Sequence, residues 1–182
     1  MAQNNSNSNT TTMDSKSAYH FHQTPPECAK DCIPRVPLVE GDRVLEPFRG
    51  EGAFYDNLPD WVEKDWCEIT QGRDFDDYDK EYDWVISNPP FRLDNEGGHK
   101  GFNAFWFLLE YYTRRAKKGV AFLGNDACFG TLTPRRLELL KDKGWGLTGL
   151  TEYSIKKWRG RYYLMVFEKD KSSIMGFVNK NY

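Results

Sequence analysis

Trp84-Val85-Ile86-Ser87-Asn88-Pro89-Pro90-Phe91 is the stretch from which the architecture can be read. Its first four residues form a short, nearly apolar run of the kind seen in a strand covered on both faces. Two adjacent prolines cannot donate to a strand ladder, so pairing stops there and a stiff loop begins with Asn88 at its root.

Upstream, Arg43-Val44-Leu45-Glu46 is a second such run, and it opens directly into Pro47-Phe48-Arg49-Gly50-Glu51-Gly52-Ala53-Phe54. That pattern predicts a strand, a glycine-bearing turn and a helix. A further strand is expected at Trp66-Cys67-Glu68-Ile69, followed by a turn around Gly72 and an acidic segment from Asp74 to Asp83. Ahead of these elements, Thr24-Pro25-Pro26-Glu27 has the form of a helix start. Thr24 would cap, Pro25 would occupy the first turn and Glu27 would complete a capping box, with Pro34 and Pro37 ending the helix by Ile33.

Downstream, Phe102, Phe105, Leu109, Tyr112 and Ala116 recur at helical spacing, and Gly119 follows the basic end Arg114, Arg115, Lys117 and Lys118. Val120-Ala121-Phe122-Leu123 reads as a strand. Thr133-Pro134 starts another helix, with Leu137, Leu139 and Leu140 as its apolar contacts and Gly144 as its stop. Leu147 to Tyr153 and Tyr162 to Phe167, joined by Lys156-Lys157-Trp158-Arg159-Gly160-Arg161, form an antiparallel hairpin at a sheet edge. Alternating strands and helices with this ending predict an α/β, doubly wound, mostly parallel sheet that binds ligands at the carboxyl ends of its strands.

At 182 residues the chain accommodates one α/β domain. Residues 1–17 are rich in Asn, Ser and Thr and are expected to form a disordered tail, leaving 18–182 as a single folded domain. Lys and Arg number 25 against 27 Asp and Glu, so a net charge of −2 exerts no general pull on a polyanion. Any nucleic-acid contact must come from a local basic patch. No stretch approaches the roughly 18 apolar residues of a membrane span, and no secretory signal pattern opens the chain, so a cytoplasmic protein is expected. Cys28, Cys32, Cys67 and Cys128 are read as free thiols. His20, His22, Cys28 and Cys32 can be drawn as four zinc ligands, but Cys-x3-Cys is one helical turn, and ordinary thiols with no metal are the preferred reading. None of the cysteines follows a proline, so covalent catalysis through sulfur is not supported.

The turn Glu46-Pro47-Phe48-Arg49-Gly50-Glu51-Gly52 places two glycines where backbone passes close to a ligand, with an acid at the strand tip. Asn88-Pro89-Pro90-Phe91 is more specific. An amine conjugated into adenine is a poor nucleophile until its nitrogen becomes tetrahedral. The Asn88 side-chain oxygen and the Pro89 backbone oxygen can both accept from that amino group and aim its lone pair at a methyl donor. Pro89 and Pro90 keep the loop rigid, and Phe91 offers a face for a purine.

With these two motifs, the chain resembles the S-adenosylmethionine-dependent amino-group DNA methyltransferases of the Rossmann-like, class I superfamily. Asn88-Pro89-Pro90-Phe91 is similar to the family's catalytic Asn/Asp-Pro-Pro-aromatic motif, and the Glu46 to Gly52 turn to its cofactor motif. Thr24-Pro25-Pro26 resembles the element that contacts the methionine end of the cofactor, and the order of the three resembles that of the gamma adenine-N6 enzymes. The resemblance runs from about Tyr19 to Lys169.

It implies S-adenosylmethionine as cofactor, with Glu68 on the ribose hydroxyls and Asp74 and Phe75 bracketing the adenine. Only six positions separate Glu68 from Asp74, fewer than the helix and strand usual there, so this half of the site is abbreviated. Asp76, Asp77 and Asp79 read as a solvated acidic loop. The resemblance also implies that Trp158 packs on the target base opposite Phe91, with Lys157, Arg159 and Arg161 meeting phosphate.

Sequence-reading members of the family usually carry a separate target-recognition domain, and none is evident here. The expected partner is DNA, with recognition either weak or borrowed from a separate subunit. Methylation of an RNA amino group or a protein glutamine remains open, as does a non-catalytic subunit of a modification complex. An intact Asn88 and glycine turn argue against the last.

Overall fold

The computed structural model describes residues 23–93 and 102–180. The expected tail over 1–17 lies outside the described residues, as do His20 and His22. Helix α1 (Pro26–Cys32) continues into a 3-10 turn (Ile33–Arg35). Strand β1 (Arg43–Glu46) leads to α2 (Ala53–Asn57), then β2 (Glu63–Trp66), a 3-10 turn (Ile69–Gln71) and β3 (Trp84–Ser87). The two-residue strands β4 (Arg92–Leu93) and β5 (Phe102–Asn103) pair antiparallel after Phe91. Helix α3 (Phe105–Thr113), β6 (Gly119–Asn125), α4 (Asp126–Phe129), α5 (Pro134–Asp142), β7 (Trp145–Tyr153) and β8 (Tyr162–Lys169) follow.

Six strands form one sheet in the order β2-β1-β3-β6-β8-β7. The first four are mutually parallel; β8 runs antiparallel to both β6 and β7. This is the doubly wound sheet with a C-terminal antiparallel hairpin expected from the sequence. The hairpin's second strand lies inside the sheet and its first, β7, forms the edge.

Each face of the sheet buries its own layer. Leu45, Val85, Val120 and Phe122 meet α3 and α5, while Val44, Ile86, Ala121 and Leu123 meet the α1 and α2 side. Residues on one strand alternate between the two clusters, as the pleat requires. On α3, Phe105, Leu108, Leu109 and Tyr112 are buried at i, i+3, i+4 and i+7, a single stripe facing the sheet. Each large apolar side chain so buried contributes about 1.5–3 kcal/mol.

Three local expectations are corrected. The second strand occupies Glu63–Trp66, not Trp66–Ile69: as the sheet edge it is half-exposed and its sequence is polar. Pro25, not Thr24, is the N-cap of α1, and no side chain caps that helix. Helix α3 is shorter than its apolar spacing implied, because Phe102–Asn103 is spent on pairing with β4. Thr133 does cap α5, accepting from Arg136 N.

Candidate active site

The carboxyl ends of β1, β3 and β6 and the segment after β2 gather at one edge of the parallel sheet. Glu46, the last residue of β1, is buried, and its Oε2 accepts from Tyr55 N at 2.6 Å. Burial pushes its pKa up to about 9, against the opposing effects of the Tyr55 N–H and of Arg49. Pro47 is buried after it, and Phe48 turns toward an aromatic cluster, 5.2 Å from Phe75 and 6.3 Å from Tyr112 between ring centroids.

Gly50 and Gly52 have φ of +52° and +91°, the left-handed region that a side chain strains. A Cβ at Gly50 would stand 2.8 Å from Gln23 Oε1, and one at Gly52 2.9 Å from Asp56 Oδ2. The turn is therefore tight against its own neighbours. Glu68 braces it from β2's side: one carboxylate oxygen accepts from Gly50 N at 2.8 Å, the other from Thr70 N and Thr70 Oγ1.

The short spacing from Glu68 to Asp74 is closed by the 3-10 turn and a backbone bridge between Glu68 and Arg73. This returns the chain to Glu68's side in six residues. Asp74 Oδ1 accepts from Asp76 N at 3.0 Å, folded into its own loop. Phe75 packs edge-on against Phe48 and, at 5.5 Å, against Tyr111.

Asn88 leaves the end of β3 with its Nδ2 donating to Thr24 Oγ1 at 3.2 Å. An amide held by its donor end presents its oxygen on the opposite side, the orientation an acceptor needs. Gln23, one residue earlier, accepts from Glu51 N at 3.1 Å. Two consecutive residues thus tie the glycine turn to the Asn88 loop. The sequence reading missed Gln23, whose only local signal is its place beside Thr24-Pro25.

Pro89 is buried and Pro90 half-buried, and the Phe91 carbonyl accepts from Ala104 N at 3.0 Å. Phe91 and Trp158 both meet the ring of the buried Tyr162, at 6.3 and 4.6 Å. Tyr162 is a second residue that the sequence did not single out. Lys156, Lys157 and Arg159 are exposed around Trp158, whereas Arg161 pairs with Asp126 at 3.1 Å. The structure thus joins Thr24, Asn88, Gly50 and Glu68 through Gln23 and the turn, and it sets Trp158 and Phe91 on one ring. It leaves the Asp74 carboxylate outside that network.

No group of three or more His, Cys, Asp or Glu positioned for a metal occurs among the described residues. No described helix is long and apolar enough to cross a membrane.

No family model and no curated protein matches the chain. Solved structures do. It is similar to TrmN from Thermus thermophilus, at 20% identity and TM-score 0.54 over 79% of this chain and 48% of that one. A protein assigned as a modification subunit of a type I restriction enzyme from Vibrio vulnificus YJ016 matches at 15% identity and TM-score 0.62, over 88% and 46%. The E. cuniculi Mtq2-Trm112 complex, responsible for methylation of the eRF1 termination factor, matches at 15% identity and TM-score 0.54, over 82% and 98%. The chain spans about half the length of the first two. With its sheet order and these neighbours, the chain has the Rossmann-like fold of the class I methyltransferases.

Proposed function

We propose that the chain binds S-adenosylmethionine along the carboxyl ends of β1, β2 and β3 and methylates an exocyclic amino nitrogen, N6 of adenine in DNA. The observation that carries this reading is Asn88, rooted at the end of a buried strand, followed by two prolines and hydrogen-bonded to Thr24 beside the glycine turn.

The residues present fit the cofactor. Gly50 and Gly52 hold the left-handed turn that a side chain would strain, Glu46 supplies a buried carboxyl group at the end of β1, Glu68 a carboxylate just past β2, and Phe48 and Phe75 supply apolar faces. Bound there, S-adenosylmethionine supplies an electrophilic methyl group on a sulfonium.

The chain's own residues do the rest. Asn88 Oδ1 and the Pro89 carbonyl accept from the target amino group and draw its lone pair out of conjugation. Pro89 and Pro90 hold those acceptors still, so orientation is settled before the substrate arrives. Phe91 stacks on the base, and Trp158 with Lys157, Arg159 and Arg161 forms the basic, aromatic flank that meets the polymer. An unpaired or flipped base is required, since the amino group is inaccessible in a stacked duplex.

The rival substrates, an RNA amino group or a protein glutamine, call on the same Asn88 chemistry, and one structural neighbour acts on a protein. The exposed Lys156, Lys157 and Arg159 beside Trp158 favour nucleic acid. A separate recognition subunit is compatible with DNA as the partner.

Incubation with tritiated S-adenosylmethionine and, separately, duplex DNA, single-stranded DNA, RNA and protein, followed by nucleoside and amino-acid analysis, tests the reading. Label in N6-methyladenine from DNA supports it. Label only in glutamine or RNA, or none in any polymer, removes it.

A further inference from the structure

Two surface segments flank the Asn88 loop, and both are fastened to the same four-residue helix, α4, immediately after β6. On one side, Asn103 Nδ2 donates to the Ala127 carbonyl at 3.0 Å, while Asn103 Oδ1 accepts from Phe105 N at 3.1 Å. Ala104 N donates to the Phe91 carbonyl, so the far end of Phe91's own loop is pinned there. On the other side, the Asp126 carboxylate accepts from Arg161 N at 3.3 Å and from Tyr163 OH at 3.2 Å, and pairs with the Arg161 guanidinium at 3.1 Å. Phe129 stacks on the Tyr163 ring at 4.8 Å.

Arg161 and Tyr163 bracket Tyr162, the residue whose ring meets both Phe91 and Trp158. Asp126 therefore holds the point where the basic turn joins β8. Its charge is the wrong sign for the surface it sits in. A carboxylate at the end of the turn that carries Lys156, Lys157 and Arg159, paired with Arg161, repels phosphate and weakens a polyanion site by simple Coulomb repulsion. Its hydrogen bonds, not its field, give it a use at this position.

We propose that Asp126 is a positioning residue, which fixes the mounting of the 156–161 turn so that Trp158 and its neighbouring cations stand ordered beside Phe91 before substrate binds. The substrate half of this proposal rests on the methyltransfer reading above; the anchoring half does not. Ordering even one or two backbone residues costs enough free energy that a turn left loose weakens substrate binding by about tenfold.

The test compares wild type, Asp126→Asn and Asp126→Ala in the full chain. Three quantities are read: amide hydrogen exchange over 154–163, the Kd for S-adenosylmethionine, and kcat and KM on whichever polymer the wild type methylates. Asp126→Ala should raise exchange in the turn about tenfold or more and raise the polymer KM about tenfold, with cofactor Kd within about twofold. Arg161 N and Tyr163 OH donate to different oxygens of the Asp126 carboxylate. Asp126→Asn keeps one oxygen to accept from Arg161 N and an amide that can donate to the Tyr163 hydroxyl oxygen, so it should recover part of the protection and part of the KM, between Asp126→Ala and wild type. A lower KM in both variants would mean that Asp126 acts only as a repulsive charge. Unchanged exchange in the turn, with loss of Tm alone, would make it a stability residue. Either result overturns the proposal. Failure of the DNA reading shows separately, in which polymer the wild type labels, and leaves the exchange result interpretable.

Discussion

Thr24 Oγ1 accepts the Asn88 side-chain amide at 3.2 Å across 64 positions of sequence. Through this bond the residue just ahead of α1 sets the attitude of the proposed polarising group. Asn88→Ala should lower kcat roughly 100-fold while leaving cofactor affinity within a few-fold, as loss of one positioned polar group does. Thr24→Val deletes only the acceptor and should lower kcat about tenfold, with Thr24→Ser close to wild type. Single-turnover kinetics with calorimetric cofactor titration separates the two effects. Equal loss of binding and turnover in Asn88→Ala would make that residue structural.

The glycine turn gives a different kind of test, because two causes meet at Gly50. Its φ of +52° strains any side chain, and its missing Cβ faces the Gln23 carboxamide at 2.8 Å. Gly50→Val should weaken S-adenosylmethionine binding by about tenfold or more. Gly50→Ala should lose less, and pairing it with Gln23→Gly should recover the part due to the clash but not the part due to φ. Calorimetry on folded variants checks this; unchanged affinity in Gly50→Val would take the turn out of the site.

The residues that were legible in the sequence share a physical property: their environment is symmetrical. β3 and β6 lie inside the sheet with both faces covered, so Trp84–Ser87 and Val120–Leu123 read as continuous runs. β2 has a neighbour on one side only, and Glu63, Lys64 and Asp65 carry no apolar signal. The apolar look of Trp66 to Ile69 instead spans the last residue of β2 and the segment that leads into the turn bracing Gly50. The Glu46 to Gly52 turn and the Asn88 loop were visible because glycines and prolines at a strand end mark a tight turn or a stiff loop whatever binds there. Thr24 was legible as a polar residue before a helix, but its partner was not. A hydrogen bond to Asn88 is a tertiary contact that no local pattern encodes, and it displaced the capping role that pattern suggested. Gln23, Asp126 and Tyr162 belong to the same class, each defined by what lies across the fold.

Glu46 makes stability depend on pH in a direction opposite to most carboxylates. Burial raises its folded-state pKa to about 9, whereas an unfolded glutamate titrates near 4.3. Between those values the folded protein holds a proton that the unfolded chain has released. Its contribution is therefore fully present below about pH 4.3 and is lost as pH rises toward 9, by up to about 1.4 kcal/mol per unit. Glu46→Gln mimics the protonated form and keeps an acceptor for Tyr55 N. Urea midpoints measured from pH 5 to pH 8 should fall with pH more steeply in wild type than in Glu46→Gln, with the variant the more stable at pH 8. Parallel curves would show that Glu46 is ionised in the folded state.

Recognition is where the resemblance to sequence-reading DNA methyltransferases and this chain diverge. Among the described residues, Phe91 with the short β4–β5 pair and the 156–161 turn are mounted on the main sheet and α4. A patch of that extent makes few base-edge hydrogen bonds. With each good bidentate base contact worth about 1–3 kcal/mol, one contact yields a preference of two or three letters, well short of a restriction-type site. Most of the binding free energy would be counterion release around the basic turn, so affinity should fall steeply with salt. Lys157→Ala and Arg159→Ala should each weaken all DNA sequences about equally and flatten the slope of log K against log salt by roughly one unit. Arg161→Ala should act differently, since its guanidinium is engaged by Asp126: its loss loosens the turn more than it removes a phosphate contact. Trp158→Ala should chiefly lower kcat if, as proposed, its ring walls the target base. Filter binding over a salt series on unrelated duplexes reads the first effects, and sequencing of genomic DNA after exhaustive methylation reads the specificity. Modification confined by the isolated chain to a single motif of about five or more bases would demand several independent base contacts and would overturn this expectation of weak specificity.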